Sequence, residues 1–136
     1  METEKLKIII VDDNKTFRDA MKLFLVNELK AEIIGEASNG QEFLNLSAII
    51  RADLVLMDIE MPELDGISAT KKWCLHNPLT KVIGVTMYTD KVYLLRLVEA
   101  GFKGCVFKTN FFNEITKAIE TVHCGNLYFN DNLPVE

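Results

Sequence analysis

Two apolar runs in this chain end in carboxylates. Asp53-Leu54-Val55-Leu56-Met57 closes on Asp58, and a turn punctuated by Pro62 and Gly66 follows; Leu6-Lys7-Ile8-Ile9-Ile10-Val11 closes on Asp12 and Asp13. A short apolar run, then an acid, then a turn describes a buried strand that delivers its acid to a surface loop. With those two ends side by side, Asp12, Asp13 and Asp58 crowd negative charge and repel one another unless a hard cation sits among them. Mg2+ suits such a set, because it takes oxygen ligands, keeps several waters and is usually held by one or two carboxylates plus a substrate phosphate; Mn2+ is the substitute with the same ligand preference. The backbone carbonyl of Glu60 is a further candidate ligand. A carboxylate is also a nucleophile toward phosphorus, forming an aspartyl phosphate. The transferred group then needs its oxygens neutralised. Thr86 and Lys108, which end two more apolar runs, offer a hydroxyl and an ammonium for that task.

Such a set works only if the elements bring it together. Apolar, β-branched runs occur at 6–11, 32–37, 53–57, 81–86 and 104–107, and helical patterns separate them. Phe17, Met21, Phe24 and Leu25 recur at three- and four-residue spacing, as one helix face requires. The second gap carries Phe43, Leu44, Leu46 and Ile50, and the third, over 67–76, a weaker stripe of Ile67, Thr70, Lys71 and Cys74. The fourth, over 91–100, places Leu94, Leu95 and Val98 on one face; the last, over 112–122, places Ile115, Ala118, Ile119 and Val122. Gly101 and Gly125 follow two helix ends, where a left-handed residue is favoured. Strands alternating with helices predict a parallel sheet covered on both faces, and continuous apolar strands agree with burial on both sides. Right-handed crossovers leave the doubly wound order 2-1-3-4-5 as the expected topology. Strands 1 and 3 then meet at the switch point, and ligands bind outside the carboxyl ends of the strands there.

The chain of 136 residues fits one domain with a sizeable core. Its net charge of -5 argues against direct nucleic-acid binding, which needs clustered Lys and Arg. Cys74, Cys105 and Cys124 show no C-x-x-C spacing and read as reduced thiols. The opening Met-Glu-Thr-Glu-Lys lacks the order of a signal peptide, and no apolar run approaches the ~20 residues needed to span a bilayer. A cytoplasmic location without membrane attachment is expected.

Plainer readings exist for each residue alone. Asp12 and Asp13 could cap the helix that begins near Asn14, Asp58 could shape a turn, Lys108 could be a solvated strand end, and Thr86 could be strand filler. Together they are hard to explain so. A phosphatase of the haloacid-dehalogenase type would carry Asp-x-Asp on its first strand, whereas Asp12 and Asp13 are adjacent; a flavin module would need a Ser/Thr/Gly-rich loop after Val11, which is missing.

The same residues carry a family resemblance. Val11-Asp12-Asp13-Asn14, the run from Leu56 to Gly66, Val85-Thr86 and Phe107-Lys108 resemble the receiver domain of two-component response regulators, over about 6–129. The stretches 85–88, 99–104 and 122–129 are most similar to the NarL/LuxR (FixJ-related) branch, in which a receiver precedes a helix-turn-helix DNA-binding domain. The resemblance implies a flavodoxin-like fold and Mg2+-dependent phosphorylation of Asp58 by a sensor histidine kinase or phosphotransfer protein. Such a receiver assists its own phosphorylation and dephosphorylation but is no enzyme in the ordinary sense. Asp13, Asp58 and the Glu60 carbonyl match the metal ligands, with Asp12 acting directly or through water; Thr86 matches the switch hydroxyl and Lys108 the phosphate-binding lysine. Glu60 and Tyr88, two residues beyond Asp58 and Thr86, are expected to tune the lifetime of the aspartyl phosphate. Residues 1–129 are expected to form the receiver and 130–136 a tail or the start of a linker. DNA would be reached only through a C-terminal domain outside this chain, and a homodimer through the fourth helix, fifth strand and fifth helix. Cys105 stands where the family usually has Tyr, Phe or His, and Thr109 where many receivers have proline. The Cys105 departure motivates the alternative of a phosphorylation-independent interaction module.

Overall fold

A computed structural model describes residues 5–47, 51–87 and 91–129. Strands β1 (Lys7–Val11), β2 (Glu32–Ala37), β3 (Leu54–Asp58), β4 (Lys81–Thr86) and β5 (Gly104–Phe107) alternate with helices α1 (Lys15–Leu29), α2 (Gly40–Ser47), α3 (Gly66–Cys74), α4 (Lys91–Ala100) and α5 (Phe111–His123). A single 3-10 turn, Lys108–Asn110, joins β5 to α5. The strands form one parallel sheet in the order β2-β1-β3-β4-β5, the order expected from the alternation.

The core explains why the strands read as unbroken apolar runs. Successive side chains of a strand point to opposite faces, and here both faces are covered. Ile9, Val11, Val55, Met57 and Val82 pack with Phe43, Trp73, Leu94 and Leu97 of α2, α3 and α4. Ile8, Ile10, Leu54, Leu56, Ile83 and Val85 pack with Met21 and Leu25 of α1 and with Phe111, Ile115 and Ile119 of α5. Strand β2, on the sheet edge, is more open and carries Glu32 and Glu36, charges that discourage edge-to-edge pairing. The opposite edge is covered by the chain after α5: Cys105 N–H donates to the Tyr128 carbonyl at 2.9 Å and Tyr128 N–H to the Lys103 carbonyl at 3.0 Å. Gly104 permits this approach, since a Cβ there would lie 2.7 Å from the Tyr128 oxygen.

Two helix faces differ from the sequence expectation. In α4 the buried residues are Leu94, Leu97 and Ala100, while Leu95 and Val98 stand 56% and 46% exposed. In α3 Trp73, Thr70 and Ile67 are buried, whereas Lys71 is exposed and Cys74 half-buried; an ammonium cannot enter an apolar face unpaired. Helix α3 ends at Cys74, two residues short of the expected bound. Ile50 of the α2 stripe lies outside the described residues. Gly101 and Gly125 adopt φ of 110° and 100°, as the helix-end reading requires.

Candidate functional site

Register places the acids. Val11 of β1 is the partner of Met57 of β3, so Asp12 and Asp58 emerge side by side one residue further on. Thr86 ends β4 opposite Phe107 of β5, and Lys108 follows. Carboxylate oxygens of Asp12, Asp13 and Asp58 lie within 4.8 Å of one another, and Lys108 Nζ reaches Asp12 Oδ2 at 3.0 Å and Asp58 Oδ2 at 3.5 Å. Asp12 and Asp58 are buried and Asp13 is exposed, so the cluster opens to solvent through Asp13.

Local structure holds each acid. Asn14, not either aspartate, caps α1: its side-chain oxygen accepts the Phe17 N–H at 3.0 Å. Asp12 Oδ1 accepts the Asn14 N–H at 2.8 Å, and the Arg18 guanidinium donates to the Asp12 carbonyl and to Glu36. Behind Asp58 the chain turns tightly, Gly66 N–H donating to the Ile59 carbonyl at 2.8 Å. A Cβ on Gly66 would lie 2.2 Å from the Asp58 carbonyl oxygen.

Electrostatics follow from this crowding. Burial, then the neighbouring Asp12 charge, pushes the Asp58 carboxyl from its ordinary 3.8 up to about 7, against the pull of Lys108 and with Asp13 adding to the rise. For Lys108, burial disfavours the ammonium, but Asp58 and Asp12 outweigh it and raise its pKa. Asp12 Oδ2 is buried without a hydrogen bond. Lys108 Nζ, 3.0 Å away, is its ion-pair partner. A buried carboxylate oxygen beside two more carboxylates, all within 4.8 Å, fits a hard divalent cation.

The structure thus brings together Asp12, Asp13, Asp58 and Lys108. Thr86 is buried at the neighbouring strand end. Glu60 is exposed on the loop after Asp58. Cys105 lies within β5, 2% exposed and packed in the α2–α3–α4 core, where burial pushes its thiol up to about 12. Tyr88 lies outside the described residues. Two neighbours of the site escaped the sequence reading. Arg18 braces Asp12, and the Phe17 ring lies 5.0 Å from Lys108 Nζ. Helical spacing assigned Phe17 to the core face; its place one turn after the acidic pair was the available signal.

A doubly wound parallel sheet with an acidic cluster and a lysine at its carboxyl edge defines an α/β domain suited to cation-assisted phosphate chemistry. The chain belongs to the response regulator receiver domain family, whose model matches residues 8–120. It is 37% identical over 120 residues to the uncharacterized transcriptional regulatory protein YhcZ of Bacillus subtilis (strain 168), covering 88% of this chain and 56% of that one. It is 30% identical over 128 residues to the response regulator GacA of Pseudomonas syringae pv. syringae (strain B728a), covering 94% and 60%. This chain therefore spans little more than half the length of these relatives. The crystal structure of a two-component response regulator of the LuxR family from Aurantimonas sp. SI85-9A1 superposes with a TM-score of 0.89 at 25% identity, over 96% of this chain and 93% of that one. These relatives place the chain in the NarL/LuxR branch. Among the described residues no helix is long and apolar enough to cross a membrane.

Proposed function

We propose that Asp58 accepts a phosphoryl group from the phosphohistidine of a sensor histidine kinase or phosphotransfer protein, in a Mg2+-dependent reaction that switches an output surface. The observation that carries this reading is the buried strand-end carboxyl of Asp58, with Lys108 Nζ at 3.5 Å and two further acids beside it. An Asp58 carboxylate oxygen attacks phosphorus; the P–N bond breaks and its electron pair returns to the imidazole. Asp12, Asp13, Asp58 and the Glu60 carbonyl are the residues that would hold Mg2+, which when bound supplies charge neutralisation at the phosphoryl oxygens. Lys108 favours the ionised nucleophile beforehand and carries positive charge for a phosphoryl oxygen afterwards. The Thr86 hydroxyl takes another oxygen, a role its burial at the end of β4 supports, and Glu60 and Tyr88 tune the approach of water to the aspartyl phosphate.

Phosphorylation adds about -1.5 to -2 charges. Thr86 and the loop after it respond, and the surface of α4, β5 and α5 changes its affinity for a partner, including a second copy of the chain. Residues 1–129 act as the receiver, and 130–136 lead toward a DNA-binding output domain; the transcriptional regulators among the relatives support this organisation. The test is intact-mass measurement after incubation with an acyl phosphate and Mg2+. One added phosphate is expected on the wild type, and none on Asp58→Ala or when chelator removes the metal. Equal labelling of Asp58→Ala would overturn the assignment.

A further inference from the structure

Lys108 is held by more than the two acids. Its ammonium lies 5.0 Å from the centre of the Phe17 ring, within range of attraction between a cation and an aromatic face. The ring is itself fixed: Phe111 and Phe112 meet it edge-on at 5.6 and 6.0 Å. Phe17 is also tied to the carboxylate that grips the lysine. Asp12 Oδ1 accepts the Asn14 N–H at 2.8 Å, and Asn14 Oδ1 accepts the Phe17 N–H at 3.0 Å. The lysine above that ring closes the circuit 3.0 Å from Asp12 Oδ2. Met21 and Leu25, on the same helix stripe, are fully buried, whereas Phe17 is half-buried with the ammonium beside it. An aliphatic side chain would fill the packing role alone, without attracting the charge.

We propose that Phe17 is a positioning residue for phosphoryl transfer, its ring fixing where the Lys108 ammonium points as the lysine passes from the acids to a phosphoryl oxygen. A long, flexible side chain loses freedom when so held, and the geometry of transfer benefits from a charge already in place. This inference rests on the reading of Asp58 as the phosphoacceptor.

The experiment compares initial rates of labelling by an acyl phosphate with Mg2+ for the wild type, Phe17→Leu and Phe17→Tyr, each also in a Lys108→Ala background. Phe17→Leu should slow labelling about three- to tenfold, and Phe17→Tyr should stay within about twofold of wild type. In the Lys108→Ala background Phe17→Leu should add nothing, because the two residues act through one contact. A second measurement is independent of labelling. The Lys108 Hε protons should be shifted upfield by the ring in the NMR spectra of the wild type and Phe17→Tyr, and return to ordinary values in Phe17→Leu. An unchanged Phe17→Leu rate, equal slowing in both backgrounds, or an unshifted Lys108 in the wild type would each overturn the proposal. Absence of labelling on the wild type would sink the Asp58 reading together with it, so the two failures are distinguishable.

Discussion

Asp58 is harder to ionise at the end of β3 than it would be in water, and this makes its charge state a handle on the site. Burial and the Asp12 charge raise its folded-state pKa to about 7, from 3.8. The folded protein then binds the proton more tightly than the unfolded chain does. The resulting stabilisation is fully present below the unfolded value and is lost as pH rises through about 7. A shift of this size corresponds to at most about 4 kcal/mol. In metal-free solution, the stability of the wild type relative to Asp58→Asn should therefore fall between about pH 4 and about pH 7. A divalent cation favours the ionised carboxylate, so the sign reverses for binding. The rise in melting temperature on adding millimolar Mg2+ should be larger at about pH 8 than at about pH 5, and should shrink in Asp58→Asn. Scanning fluorimetry with and without chelator reads this directly. Equal Mg2+ increments at both pH values would count against the acids as a cation site.

Elements explain what the sequence disclosed and what it hid. The strands were legible because β-branched runs bounded by turns can hardly be anything else, and strand ends carry their acids with them. The site acids followed from that, since register needs only the strand order. The face of α4 was not legible: Leu94, Leu95, Leu97, Val98 and Ala100 crowd ten residues, and more than one set satisfies helical spacing. Only packing into the core cluster with Trp73, Val82, Phe102 and Cys105 selects Leu94, Leu97 and Ala100. The neighbours of Lys108 were hidden for a related reason. Phe17 fits the apolar stripe of α1, and spacing along one helix says nothing about a lysine arriving from the end of β5. Tight contacts between elements yield a paired prediction. Gly66→Ala drives a Cβ into the Asp58 carbonyl, and Gly104→Ala drives one toward the Tyr128 oxygen. Each should destabilise by about 1–3 kcal/mol in urea unfolding. Only Gly66→Ala should also slow labelling of Asp58, because Gly104 begins β5 at the edge remote from Lys108. Wild-type labelling by Gly66→Ala would show that the β3–α3 turn does not position the acid.

At the scale of the whole molecule, the proposed phosphate at one sheet edge would have to alter a surface elsewhere, and the fold leaves such a surface open. Sandwiching the sheet between α1 and α5 on one side and α2, α3 and α4 on the other buries both faces. The outer side of α4 nevertheless presents Leu95 and Val98, and Met87, next after Thr86, is 63% exposed. Met87 follows Thr86 directly, so under the proposed phosphorylation a movement of the Thr86 hydroxyl toward phosphate would reach Met87 first. Large exposed side chains on a helix that borders the site are the kind of patch association uses. A like-charged pair of chains, each at -5, gains little from long-range attraction, so apolar contact must supply the affinity. Beryllofluoride with Mg2+ should therefore shift the wild type toward a dimer in sedimentation equilibrium. Leu95→Glu with Val98→Glu should hold it monomeric while leaving acyl-phosphate labelling of Asp58 within about twofold, since neither residue enters the core and surface changes of this kind usually cost little stability. A dimer that forms equally well in the double variant would move the exchange surface off α4.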